Sequence, residues 1–208
     1  MKATNLARWN QLWLNVAPGF DASSAYQEVI ALYSEPHRYY HSLEHISDCL
    51  GEFEATSHLA KNSLALELAI WLHDVVYDTH VWDNEERSAV FAQRMIEQAQ
   101  GPASLAADVV ALIMATKTHN PAAHPDAPLL VDLDLSILGQ SDTRFDRYEA
   151  QIGQEYAWVP HKMFCTKRAE ILEKFLARPR IFNTAPFFNQ YEQPARANLQ
   201  RSILKLKS

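Results

Sequence analysis

Glycine is scarce in this chain, with five in 208 residues. A turn-rich β-sandwich and a glycine-loop nucleotide fold both rely on backbone conformations that glycine adopts most readily, so its scarcity argues against both. Cysteine is scarcer still. Cys49 and Cys165 cannot build a disulfide framework and neither sits in a Cys-x-x-Cys pair, so both read as buried free thiols. Long apolar runs are missing. No stretch reaches the roughly 18 residues of a membrane span, and Met1 to Phe20 lacks the basic-then-apolar order of a secretory signal, so a cytoplasmic protein is expected. Positive charge is also in deficit. With 25 acidic against 19 basic residues the net charge is −6, which argues against non-specific nucleic-acid binding.

What is present is helical periodicity, almost throughout. Leu6, Trp9, Leu12, Trp13 and Val16 recur at three- and four-residue intervals, and Pro18-Gly19 ends that helix. Asp21 or Ser23 caps a second helix reaching Leu32 or Tyr33, and a third begins near Ser42 with Leu43, Ile46, Leu50 and Phe53 inward. A fourth, apolar nearly all round and therefore buried, runs from about Asn62 to Tyr77. Asp83 and Glu86 form a capping-box pattern for a helix to about Gln98, followed by one over Ala103 to Thr118. Residues Asn120 to Pro128 read as a loop. Short helices are predicted over Leu130–Leu138, Thr143–Trp158 and His161–Ala177, and a last one from about Pro194 to Leu206. With no repeat or linker, the chain reads as one all-α domain. The five tryptophans read as core.

Two strings stand out, Tyr40-His41-Ser42-Leu43-Glu44-His45 and Trp71-Leu72-His73-Asp74-Val75-Val76-Tyr77-Asp78. From Ala69 to Tyr77 only His73 and Asp74 are polar, and a buried carboxylate is costly unless paired, hydrogen-bonded or bound to a metal. His41 and His45, four apart, would share a helix face. Farther on stand Asp132 and Asp134. Imidazole and carboxylate donors without cysteine suit manganese, iron, nickel, cobalt, zinc or magnesium, and leave positions for water and substrate.

The order His45, His73-Asp74, Asp134 resembles the signature of the HD superfamily of metal-dependent phosphohydrolases. Further stretches are similar to a bacterial branch of that superfamily: Pro36-His37-Arg38-Tyr39-Tyr40-His41, Asn84-Glu85-Glu86-Arg87-Ser88-Ala89, Thr116 with His119, Asp132-x-Asp134-Leu135 and Ala195-Arg196-x-Asn198-Leu199. The resemblance implies a single HD-type helical bundle, with a core over roughly 36–140 and flanking N- and C-terminal helices. It implies His45, His73, Asp74 and Asp134 as metal ligands, with Asp132 the competing choice for the last.

The spacing Tyr40-His41-x-x-x-His45 is similar to a stretch of cyclic-nucleotide phosphodiesterases in which the first histidine donates a proton to the leaving oxygen, although Ser42 replaces an asparagine there. His41, Asp74 and Glu85 are accordingly the candidate catalytic residues. Arg38, Lys117, His119 and Lys162 are candidates to meet the substrate. One tightly bound divalent ion is expected, with a weaker second at Asp74, Asp78 or Glu85. The expected activity is hydrolysis of a small phosphate ester, such as a nucleotide, by metal-activated water. The alternatives are an HD-fold diiron oxygenase and a non-catalytic metal- or nucleotide-binding regulatory module.

Overall fold

The computed structural model describes residues 4–119, 121–122 and 124–208. It is all-α, with no strand among the described residues. The helices are α1 (Leu6–Val16), α2 (Ala22–Tyr33), α3 (Leu43–Thr56), α4 (Ser63–Leu72), α5 (Asn84–Gln98), α6 (Ala103–Thr118), α7 (Ala127–Leu135), α8 (Asp142–Glu155), α9 (His161–Leu176) and α10 (Ala185–Lys207). Two 3-10 turns, Ser57–Leu59 and Ser136–Gly139, continue α3 and α7. No helix among the described residues is long and apolar enough to cross a membrane.

Small polar side chains set five of the helix starts. Asn5, Asp21, Ser42, Asn62 and Ser141 each accept a first-turn backbone N–H, which satisfies a donor the helix cannot pair internally. The pattern at Asp83 differs from expectation. Asp83 makes no side-chain cap, and Glu86 pairs with Lys117 at the end of α6 instead of reaching back. Two helix limits also depart from the sequence reading. α4 ends at Leu72 with no glycine or proline to mark the stop, and α10 begins nine residues before Pro194, which it carries in its interior.

The chain forms two compact units, Met1–Leu133 and Asp134–Ser208. Their boundary falls inside α7, so no composition shift announces it, and a single domain is what the sequence alone suggests. In the first unit α4 is the central element. Leu66, Leu68, Ala69, Ile70, Trp71 and Leu72 are all fully buried, and α4 packs on α1, α3, α5 and α6. Each large aliphatic side chain so buried contributes about 1.5–3 kcal/mol, ample to carry a few costly polar groups at the helix end. Trp9 meets Trp71 edge-on at 5.1 Å, and its indole N–H donates to the Ala22 carbonyl at 2.7 Å. Trp9, Trp13 and Trp71 are core as expected; Trp82 is 91% exposed and Trp158 is also exposed. Cys49 is buried, whereas Cys165 is only partly so.

In the second unit α10 packs on α9, on α8 and on the Ser136–Gly139 turn. The Glu192 carboxylate accepts the backbone N–H groups of Ile181 and Phe182, while Arg196 donates to the carbonyls of Leu176, Arg178 and Pro179. The chain leaving α9 is thereby tied to α10. Gly139 permits the closest approach: a Cβ there would lie 2.5 Å from Tyr191 Cβ and 2.8 Å from its carbonyl oxygen. Backbone cannot yield as a flexible side chain does. Gly139→Ala is expected to lower stability by about 2–3 kcal/mol in urea denaturation, the cost of forced overpacking; an unchanged midpoint would refute the close contact.

Candidate metal centre

α3 and α4 supply the centre. His45 lies in the first turn of α3 and faces inward, 2% exposed. His73 is the residue on which α4 ends, its backbone N–H still bonded to the Ala69 carbonyl, and Asp74 follows in the turn beyond. The doublet thus sits at a helix C-terminus and not within the longer helix the apolar run suggests. An imidazole at that end is favourable, because the terminal carbonyls carry partial negative charge.

The ligand atoms of His45, His73 and Asp74 lie within 4.8 Å of one another. His45 Nε2 and His73 Nε2 are 3.1 Å apart, and Asp74 Oδ2 is 3.3 Å from the His73 nitrogen and 3.6 Å from that of His45. Two ligands each about 2.1 Å from an ion and 90–110° apart are separated by about 3.0–3.4 Å, so the spacing fits a shared ion. The tautomer fits as well. His73 Nδ1 lies 3.0 Å from the Ile70 carbonyl, which can only accept, so Nδ1 carries the proton and Nε2 presents its lone pair. Burial pushes the Asp74 carboxyl up, but while the imidazoles are protonated the charge and hydrogen bond of His73, with the charges of His41 and His45 behind, outweigh it and hold the group well below the usual carboxylate range. Asp74 is therefore an anion ready to meet a cation.

The segment after α4 has no regular structure, yet neighbouring side chains hold its backbone almost residue by residue. Arg38 Nη1 donates to the Asp74 carbonyl at 2.6 Å and to the His41 carbonyl at 3.1 Å, and Nη2 donates to the Val75 carbonyl at 2.8 Å. Ser88 Oγ accepts from Val76 N and donates to Val76 O. His37 donates to the Tyr77 carbonyl, and the Asn84 amide takes both the N–H and the carbonyl of Asp78. Lys117 holds the Trp82 carbonyl. Irregular backbone near a core is tolerable only when its polar groups are answered, and here side chains answer them.

This accounts for several residues expected to meet the substrate. The Arg38 side chain is fully buried, its donors spent on three carbonyls and Glu35, so it is a structural clamp. Lys117 bridges Glu86 and the Trp82 carbonyl at the surface. His119 caps α6 in the left-handed region, at φ 50°, with its N–H on the Ala115 and Thr116 carbonyls. Lys162 belongs to α9 in the second unit. Asp78 Oδ1 accepts from the backbone and ring of its neighbour His80, at 2.9 Å each.

His41 precedes α3 instead of occupying its face; its ring centroid is 6.1 Å from that of His45. Glu85, in the first turn of α5, feels the same centre. Burial raises its carboxyl above the ordinary value, its own backbone amide offsets part of this, and the charge of Asp74 adds to the rise. Of the two α7 candidates, Asp132 is fully buried in the first unit. Asp134 is half-buried in the second, where burial and the charges of Glu149 and Asp134 raise the Tyr148 phenol against the pull of Arg168.

Sequence reasoning missed Ser88, Asn84, Tyr33 and Cys49. Tyr33 donates to the Trp71 carbonyl at 3.0 Å, and Cys49 lies 3.8 Å from His45 Nδ1 while its thiol donates to the Leu133 carbonyl at 3.7 Å. The available signal was polarity out of place: a serine on the buried face of α5, and a cysteine one turn beyond the buried His45.

Two outcomes follow from this geometry. Arg38→Ala is expected to destabilise the protein by about 3 kcal/mol in urea unfolding, because several inward carbonyls lose their donor at once. Glu85 acts in the opposite sense. A carboxyl raised in the folded state stabilises fully below its unfolded value, and that contribution is lost as pH rises through the folded one. Glu85→Gln in metal-free protein should therefore raise the thermal midpoint at neutral pH and leave it unchanged below the carboxylate range. A uniform shift at all pH values would contradict that assignment. Comparison with known proteins adds no relative: no family model, curated protein or solved structure matches the chain.

Proposed function

We propose that this protein is a metal-dependent phosphohydrolase acting on a small phosphate ester. The convergence of His45, His73 and Asp74 carries the reading: three nitrogen and oxygen donors at ligand-like separations, with the His73 tautomer already set by Ile70. The resemblance of the His45, His73-Asp74 and Asp132-x-Asp134 stretches to HD phosphohydrolases points the same way. Asp132 completes the set in this reading, in place of the Asp134 expected from the motif. Asp132 lies in the same compact unit as His45, His73 and Asp74, and Asp134 does not.

A divalent ion held by these residues supplies a water acidified toward neutrality and offsets charge on the phosphoryl oxygens. The chain's own residues do the rest. His73 offers the lone pair of its Nε2, His45 offers a second ring nitrogen, and Asp74 brings the negative charge that holds a cation in place. Glu85, raised toward neutrality, is suited to exchange a proton with the attacking water. His41 gives a proton to the departing oxygen.

The test is a metal titration by calorimetry followed by hydrolysis of a phosphate-ester and nucleotide panel, using chelator-stripped protein with single metals restored. One ion per chain is expected, with turnover restored by metal and lost by at least 100-fold in His73→Ala. Asp132→Asn should weaken metal binding about 10–100-fold while Asp134→Asn does not. Stoichiometric binding without turnover would favour the regulatory module, and two irons per chain the oxygenase.

A further inference from the structure

We infer that Tyr77 is a positioning residue, whose ring fixes the imidazole of His41 in the orientation from which it protonates the leaving oxygen. This rests on the hydrolase reading above and adds a residue that no part of that reading requires. His41 lies outside α3, so no helical turn restricts its side chain. Aromatic walls restrict it instead. The His41 and Tyr77 rings stack with centroids 4.1 Å apart and planes at 24°, while Tyr40 stands edge-on to His41 at 5.0 Å and 83°. The same Tyr40 ring lies 4.8 Å from His45, so the wall that bounds His41 also bounds a ligand.

Tyr77 is itself fixed. His37 holds its carbonyl at 2.9 Å, and Asn84 holds both backbone groups of the next residue. The Arg38 guanidinium carbon lies 5.6 Å from the Tyr77 ring centroid, and the same guanidinium holds the His41 carbonyl. The two stacked residues therefore approach from separate segments joined by one buried cation. A face stack uses the π surface of the imidazole and leaves its in-plane N–H groups to point along the ring edge. That sets the ring plane while keeping the proton deliverable.

Water forms the new bond to phosphorus and passes a proton to the Glu85 carboxylate as the bond from phosphorus to the ester oxygen breaks. That oxygen keeps the bonding electron pair and takes the proton from the His41 N–H, leaving a neutral imidazole. A proton donor matters most for a poor leaving group and little for a good one. A loose imidazole squanders its advantage, because small misplacements of a catalytic group are costly.

The experiment compares kcat and KM on phenyl phosphate and 4-nitrophenyl phosphate, which share a shape but differ in leaving-group quality, with metal-loaded protein. Tyr77→Leu should lower kcat about 100-fold on the phenyl ester and no more than about threefold on the nitrophenyl ester, with KM nearly constant. Tyr77→Phe, which keeps the ring, should retain both rates. His41→Ala should reproduce the Tyr77→Leu pattern, and the double variant should be no slower than His41→Ala alone. Proton NMR of metal-free protein gives a reading independent of turnover: the His41 ring resonance should be shifted upfield in wild type and Tyr77→Phe, and released in Tyr77→Leu. Equal losses on both esters, damage from Tyr77→Phe, or an unshifted wild-type resonance would overturn the role of Tyr77 and leave the hydrolase intact. No metal-dependent turnover by wild type on either ester would overturn both.

Discussion

Three carbonyls and one guanidinium fix the geometry on which the centre depends. α4 stops at Leu72 inside the core of the first unit, and the turn that follows leaves carbonyls that no regular structure pairs. Arg38 enters from the α2–α3 connection and takes those of Asp74 and Val75, together with that of His41. The doublet at the end of α4 and the histidine before α3 are thus held by one planar, permanently charged group. A lysine offers a single nitrogen and cannot span three acceptors in this way.

Around that clamp the electrostatics are consistent. His73 is oriented by the Ile70 carbonyl, Asp74 is kept ionised by the imidazoles facing it, and Glu85 is pushed the other way by burial and by Asp74. Two carboxylates in one neighbourhood are driven apart in proton affinity. That separation leaves Asp74 the anion of the pair and makes Glu85 the readier of the two to take up a proton. The hydrophobic burial of α4 stands behind both, since a helix packed on all sides can hold costly polar groups at its end.

The all-α class was legible in the three- and four-residue periodicity, and the His73-Asp74 doublet that meets His45 in its polarity amid apolar neighbours. The end of α4 was not legible, because an unbroken apolar run carries the same signal whether it is helix or buried turn. Nor was the true start of α10, where Pro194 looked like a beginning although a long helix can carry it inside. The hold of Arg38 on the main chain was hidden for a related reason. A cation near a phosphate-type motif suggests an anion partner, and nothing in a linear sequence reveals that backbone carbonyls from 36 residues away will claim it first. The two compact units escaped notice because their boundary lies within a helix.

The segment from His73 to Asp83 is gripped by its main chain: Arg38, Ser88, His37, Asn84 and Lys117 hold peptide groups there. A segment held this way divides the burden of specification unequally. The residues whose carbonyls are held can exchange side chains without releasing the hold, while the distant residues that do the holding cannot. Val76 and Trp82 are in this sense replaceable, and Ser88 and Asn84 are not. The outward surface beside the centre can then vary while His45, His73 and Asp74 beneath it stay in place.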